Sequence, residues 1–413
     1  MRPSVYEVIS GCRSCGSTAL EPILSLGECP LADGLVDPSS VNGSDPRYPL
    51  DVVFCAGCSL VQLLETISPE VLFDDTYVYF SSFSDELLRH SRENAERLIA
   101  SRRLGQASLV VEIASNDGYM LRNFAEQGIG VLGIDPAPGP AQAAEAIGIP
   151  TLRRFFGTEL ARNLRAEGKR ADLVIANNVL AHVPDLNGFV EGIRIILKDE
   201  GMAVIEVPYV KDLIDRCEFD TIYHEHLCYF SVSALIPLFG RHGLSLNRVE
   251  HYPIHGGSLR LYVGTSEEVE GSVRSCEEAE RQCELTGPRY YRDFASRVRS
   301  IQADLLSTLR GLKEEGHSIA AYGAAAKGTI LLNSTGIGRD LVDFVVDRNV
   351  HKQGRLMPGV RIPIDDPARL VRELPDYVLL LAWNFKDEIL AQQEEYRRRG
   401  GRFVVPVPEP TVV

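Results

Sequence analysis

The sequence predicts an α/β protein in three segments: a zinc-binding domain over residues 1–70, a Rossmann-like domain over 71–265, and a second Rossmann-like domain over 266–413. Three observations carry this reading. Two Cys-x₂-Cys knuckles stand near the start, apolar strand-like runs alternate with helical patterns from about residue 107, and the alternation resumes near His317. Strands that alternate with helices form parallel, doubly wound sheets. A chain of 413 residues is also too long for one hydrophobic core.

Bulk properties narrow the function. Apolar content of 45% and charged content of 24% are those of a globular protein. The net charge is −14, and the longest basic run, Arg397-Arg-Arg399, is short, so nucleic acid is disfavoured as a partner. No apolar run approaches the roughly 20 residues of a membrane helix, and the opening Met-Arg-Pro-Ser-Val-Tyr-Glu lacks the apolar centre of a signal peptide. A cytoplasmic protein with no membrane contact is expected. Nine cysteines, an odd number, argue against a disulfide framework.

In the first segment, Cys12-Arg-Ser-Cys15 and Cys55-Ala-Gly-Cys58 flank a stretch rich in Gly, Pro, Ser and Asp. Each knuckle offers two thiolates, and four close a tetrahedron around Zn²⁺ with no open position, so the metal would be structural. The competing reading is two unrelated buried cysteine pairs, and Cys29 is a weaker alternative ligand. Residues 73–84, Phe-Asp-Asp-Thr-Tyr-Val-Tyr-Phe-Ser-Ser-Phe-Ser, are dense in aromatic and hydroxyl groups. They suit either a strand with Tyr77 and Tyr79 on one face or a phenol-lined lid. A helical pattern follows over 85–103, with Leu87, Leu88, Ala95, Leu98 and Ile99 on one side.

The second segment has strands expected at 109–113, 131–135, 171–179 and 202–207. The first runs into Ala114-Ser-Asn-Asp-Gly118, which lacks the G-x-G-x-x-G of a dinucleotide site. A pyrophosphate fits poorly beside Asp117. A cationic ligand with an amino-acid tail fits better, with Gly118 permitting close approach. Asp135 ends the second strand, where it can accept both hydroxyls of a ribose or serve as a helix N-cap. This pattern favours S-adenosylmethionine over NAD. After the third strand come Asn177-Asn178 and His182, the histidine either an active-site group or a helix-start residue.

Residues 219–230 read Phe-Asp-Thr-Ile-Tyr-His-Glu-His-Leu-Cys-Tyr-Phe. Tyr223, His224, Glu225 and His226 together can supply a base, its orienting partner and a donor to a developing oxyanion. A polar turn with satisfied histidines is the plainer reading. A helical pattern over 232–242 precedes His255-Gly-Gly-Ser-Leu-Arg, whose glycine pair permits close backbone approach. Residues 267–313 read as a helical connector. In the third segment, Tyr322-Gly-Ala-Ala-Ala-Lys327-Gly places small residues and a cation where a phosphate can meet a helix start. Strands are expected at 342–347 and 377–384, or the segment is a purely structural duplicate of the second.

The ordered set of motifs resembles the S-adenosylmethionine-dependent sugar C-methyltransferases of deoxysugar antibiotic pathways. It comprises the two knuckles, Tyr-Val-Tyr-Phe-Ser-Ser-Phe-Ser, Glu-Ile-Ala-Ser-Asn-Asp-Gly-Tyr-Met-Leu, Asn-Asn-Val-Leu-Ala-His-Val-Pro-Asp, Phe-Asp-Thr-Ile-Tyr-His-Glu-His, His-Gly-Gly-Ser-Leu-Arg, Tyr-Gly-Ala-Ala-Ala-Lys-Gly and Val-Val-Asp-Arg-Asn. The resemblance implies a structural Zn²⁺ on Cys12, Cys15, Cys55 and Cys58. It implies methylation at C-3 of a dTDP-linked 4-keto-deoxysugar, with His226 as base and Glu225, Tyr223, His182 and Tyr77 around it, although Tyr79 competes with Tyr77. The candidate methyl-donor site is Ser84, Glu112, Ala114, Ser115, Asn116, Asp117, Gly118, Asp135, Asn177 and Asn178. The candidate sugar-nucleotide site is Tyr79, His224, His255, Gly256, Lys327 and Arg348. A monomer is expected. The alternatives are an NAD-dependent nucleotide-sugar epimerase or dehydrogenase, and a non-enzymatic zinc-ribbon binding protein.

Overall fold

The computed structural model describes residues 6–40, 45–73 and 77–413. The first five residues, 41–44 in the segment between the knuckles, and Asp74-Asp75-Thr76 of the aromatic stretch lie outside them.

The central sheet has seven strands. Five are parallel: Leu109–Ile113, Gly130–Ile134, Thr151–Leu152, Ala171–Asn177 and Leu197–Pro208. Ser258–Gly264 joins Leu197–Pro208 antiparallel, and Ser245–Tyr252 pairs beyond it at the edge. The inner strands are almost wholly buried, as strands covered by helices on both faces must be. The strand order reverses between Leu109–Ile113 and Ala171–Asn177, which opens a crevice at their carboxyl ends.

The helix Asp85–Arg102 covers one face. Ser84 caps it by accepting from the Leu87 N–H at 3.2 Å, and Asp85 and Glu86 sit in its first turn, where negative charge meets the helix dipole. Leu87, Ala95 and Leu98 form its buried stripe. A single helical turn, Arg122–Ala125, follows the Gly118 turn.

The C-terminal sheet has six strands, ordered Ile364–Asp365, Val345–Val346, Ile319–Tyr322, Tyr377–Leu380, Arg402–Val405 and Thr411–Val412. All pairings are parallel except the last. The 267–313 connector is two helices, Gly271–Gln282 and Phe294–Glu314.

The N-terminal sheet crosses a segment boundary. Leu20–Pro30, Arg47–Cys55 and Val61–Leu63 form three strands, and the fourth is Cys228–Tyr229, at the end of the Tyr-His-Glu-His stretch. One hydrophobic cluster runs through all three segments, taking in Phe54, Phe219, Phe239 and Leu331. The first and third segments also touch directly: Thr329 Oγ1 donates to the Ala32 carbonyl at 2.8 Å, and Arg361 pairs with Asp45 at 2.6 Å. Among the described residues, no helix is long and apolar enough to cross a membrane.

Candidate active site

The crevice deepens into a cavity of about 550 Å³ bounded by all three segments. That is ample for a pair of small-molecule ligands. Its floor is the carboxyl end of the central sheet: Ala114 and Asn116 after the first strand, Asp135 after the second, and Asn177 and Asn178 at the third. Tyr223, Glu225 and His226 form one wall with His182. Tyr77 and Tyr79 close it from above, and Ala325, Ala326, Lys327 and Lys352 come from the C-terminal segment.

The backbone of the floor is unusual. Ala114, Asn116 and Asn178 have φ of 56°, 49° and 53°, and His255, also on the cavity wall, has 58°. Non-glycine residues adopt this left-handed region at a cost and persist there where surrounding structure compels it. Asp135 helps: its carboxylate accepts from the Asn116 N–H at 2.8 Å and the Ala137 N–H at 2.9 Å. Burial still pushes its carboxyl up to about 6.

The 77–84 stretch is no strand. Residues 77–80 are irregular and Ser81–Phe83 is a 3₁₀ turn. Asn116 accepts from the Ser81 N–H at 2.9 Å and donates to the Tyr79 carbonyl at 3.1 Å. Asp117 accepts from the Ser82 N–H at 3.0 Å. From the other side, Asn349 donates to the Val78 carbonyl at 2.8 Å, and Phe80 stacks on His351 with centroids 4.8 Å apart. The segment is thus a strap tied to the central floor and to the C-terminal segment.

His226 is locked in one tautomer. Its Nδ1 lies 2.9 Å from the Thr221 carbonyl, which only accepts, so Nδ1 carries the proton and Nε2 the lone pair. The Tyr223 hydroxyl lies 2.8 Å from Nε2 and donates to it. The His182 ring stands edge-on at 4.7 Å, and its Nδ1 is buried without a hydrogen-bond partner among the described residues. Burial lowers His182 to about 4, and burial together with His182 lowers His226 well below the ordinary histidine range, so both rings are neutral at pH 7.

Several expected site residues lie outside the cavity or do other work in it. Glu225 makes no hydrogen bond to the His226 ring; the orienting group is the Thr221 carbonyl. His224 turns away from the cavity, its Nε2 lying 3.0 Å from the Pro49 carbonyl of the N-terminal segment. Gly118 does not clear space for a ligand: a Cβ there would meet Ile149 at 3.1 Å and Ile147 at 3.2 Å. Gly256 similarly leaves room for the Glu218 carboxylate. Ser84 is the helix cap, Ser115 packs against Gly133, and Asp117 holds the strap. Glu112 is fully buried behind the floor, and burial beside Asp117 and Asp135 pushes its carboxyl well up. Arg348 pairs with Glu388 at 3.1 Å and Asp85 at 3.4 Å on the outside.

Lys327 does line the cavity. Its ammonium is buried over the Trp383 ring at 4.5 Å, with no hydrogen-bond partner among the described residues. Asp33, Glu218, Thr221 and Lys352 also line the cavity and were not anticipated. Asp33 lies in a stretch with no acid/base pattern and Thr221 acts through its main chain, so no sequence signal marks them; Lys352 closes the stretch Asp347-Arg-Asn-Val-His351-Lys352, from which only Arg348 was expected in the site.

The four knuckle thiols converge as the spacing predicts. Their sulfurs lie within 4.8 Å of one another, with Cys12–Cys58 and Cys15–Cys55 each at 3.6 Å. That is too long for a disulfide and near the ~3.8 Å edge of a tetrahedron with 2.3 Å Zn–S bonds. Cys29 is outside the group; it is buried, and its thiol faces the Leu26 carbonyl at 3.8 Å.

A doubly wound domain whose sheet ends in a cavity, with a four-thiolate domain before it and a second α/β domain after it, matches three families in order. Residues 12–73 match a zinc-binding domain, 84–249 a methyltransferase domain, and 253–408 a C-methyltransferase C-terminal domain. The C-methyltransferase NovU of Streptomyces niveus is 36% identical over 412 residues, covering 99% of this chain and 98% of that protein. The chain belongs to this C-methyltransferase family. Among solved structures, magnesium protoporphyrin IX methyltransferase ChlM from Synechocystis PCC 6803 with bound SAH aligns over 43% of this chain and 83% of that one, with 15% identity and a TM-score of 0.35. A Haloferax volcanii methyltransferase complex with the Trm112 activator aligns over 44% and 95%, with 18% identity and a TM-score of 0.34.

Proposed function

We propose that this C-methyltransferase takes its methyl group from S-adenosylmethionine and places it on C-3 of a dTDP-linked 4-keto-deoxysugar, with His226 as the base. The observation that carries this reading is the His226 tautomer. Thr221 fixes Nδ1–H, which leaves an unprotonated Nε2 in a cavity shared by the donor-binding sheet and the C-terminal segment.

The residues present fit the donor. Asp135 and the Ala114–Asn116 turn line the floor for its ribose and amino-acid ends, and Asn177 and Asn178 border them. When bound, S-adenosylmethionine supplies an electrophilic methyl. Everything else falls to the chain. A hydrogen next to a ketone is acidic only when the enolate oxygen is stabilised. His226 Nε2 takes that proton as a neutral imidazole. The Tyr223 hydroxyl, which rests on Nε2, is released to donate to the developing oxyanion, and His182 stands ready beside it. One such donor is worth about 10²–10³ in rate. The strap of Tyr77 and Tyr79 excludes water, and His255 and Lys327 border the sugar-nucleotide side. The four cysteines hold Zn²⁺ as a cross-link, and no step passes through it.

The test is mass spectrometry of a panel of dTDP-4-keto-deoxysugars incubated with enzyme and methyl donor. A product heavier by one methyl is expected from wild type, and His226→Asn should reduce its formation by at least 10²-fold. Full turnover by His226→Asn would remove the base assignment.

A further inference from the structure

Glu225 stands beside the catalytic pair yet does not orient His226. Its surroundings assign it different work. It is 5% exposed and lines the cavity between Tyr223 and His226. Two charged residues face it from the other two segments. Asp33 comes from the zinc-binding segment, and its negative charge bears on the Glu225 carboxyl. Lys352 comes from the C-terminal segment; it is 5% exposed, donates to the Ala324 carbonyl at 2.7 Å, and lies 3.7 Å from the Asp33 carboxylate. Asp33, Glu225 and Lys352 all line the cavity. Tyr77 and Tyr223 face the same two acids.

Two carboxyl groups and one ammonium in a buried site cannot all be charged cheaply. Lys352 pairs with the Asp33 carboxylate, and a negative charge there disfavours a second one alongside. Burial and Asp33 push the Glu225 carboxyl well above the ordinary range, while Lys352 pulls it back.

Building on the functional reading above, we propose that Asp33 is a positioning residue that keeps Glu225 as an undissociated acid, that Lys352 is the counterweight that limits this bias, and that Glu225 donates a hydrogen bond to the substrate oxygen that becomes negative. An enolate oxygen forming beside an ionised Glu225 would meet repulsion; beside the acid it meets a donor. The zinc-binding segment thereby contributes a residue to the reaction centre, without its metal taking part. Asp33 and Lys352 act only through Glu225.

Asp33 and Lys352 bias Glu225 in opposite directions, which makes the proposal testable by sign. Turnover should fall at high pH as Glu225 ionises. Asp33→Asn removes the neighbouring negative charge, so this alkaline limb of the kcat–pH profile should move down by about one pH unit or more. Lys352→Met removes the positive charge, so the limb should move up. Glu225→Gln keeps an N–H donor but cannot ionise, so the turnover that remains should have no alkaline limb, and it tests the proposal even if a charge variant fails to fold. Limbs that shift in the same direction, or a limb that survives in Glu225→Gln, would overturn the proposal. Methyl transfer by wild type with unmoved limbs overturns this proposal alone; absence of methyl transfer by wild type overturns the functional reading and this proposal with it.

Discussion

His182 and His226 are neutral because they are buried together, and that has a cost for the folded state. An unfolded histidine takes its proton near pH 6.5, whereas folded His182 does so only near 4. Between these values the unfolded chain binds the extra proton, so this contribution is fully present above pH 6.5 and is lost as pH falls toward 4. Asp135, raised to about 6, works in the opposite direction, so the clean readout is a difference. The stability advantage of His182→Asn over wild type should grow as pH is lowered from 6.5 to 4, measured by denaturant melts at several pH values. A second expectation concerns Tyr223, whose hydroxyl is the group touching His226 Nε2. Tyr223→Phe should lower kcat by about 10²–10³ with little change in KM, because the donor is used in the transition state. His226 was legible in the sequence because an imidazole beside a phenol and a carboxyl is a recognisable chemical density. Its orienting partner was not, because the Thr221 main-chain carbonyl has no residue type.

At the scale of elements, the short strand Cys228–Tyr229 decides how the segments communicate. It pairs with Val61 and Gln62 of the N-terminal sheet, and Leu227 beside it donates to the Ala181 carbonyl and accepts from Leu63 N–H. His226 and His182 are therefore anchored to a sheet whose hairpin ends in the knuckles. Chelation of Zn²⁺, or Cys55→Ser, should lower the melting temperature and turnover together, and restoring Zn²⁺ to wild type should recover both. Retained turnover in a metal-free, unfolded N-terminal segment would break that link. The central strands were legible because buried parallel strands are continuous apolar runs. The strap at 77–84 was not, because its form depends on Asn116, Asp117 and Asn349, which are distant in sequence.

At the scale of the whole molecule, three segments close around one cavity, and each supplies charged or acid/base groups to it. Asp33 comes from the first, His182, Glu225 and His226 from the second, and Lys327 and Lys352 from the third. The order of the domains and the cysteine tetrad followed from motif spacing. The docking of the first segment onto the third, through Thr329 with Ala32 and Arg361 with Asp45, rests on contacts about 300 positions apart that no local pattern announces. The central claim is that this closed cavity exists to let His226 remove a proton from the carbon beside a ketone. Proton exchange at C-3 of a dTDP-4-keto-deoxysugar in D₂O, followed by NMR without methyl donor, tests it most directly. Wild type should exchange that hydrogen for deuterium and His226→Asn should leave it in place; exchange by His226→Asn at the wild-type rate would contradict the account.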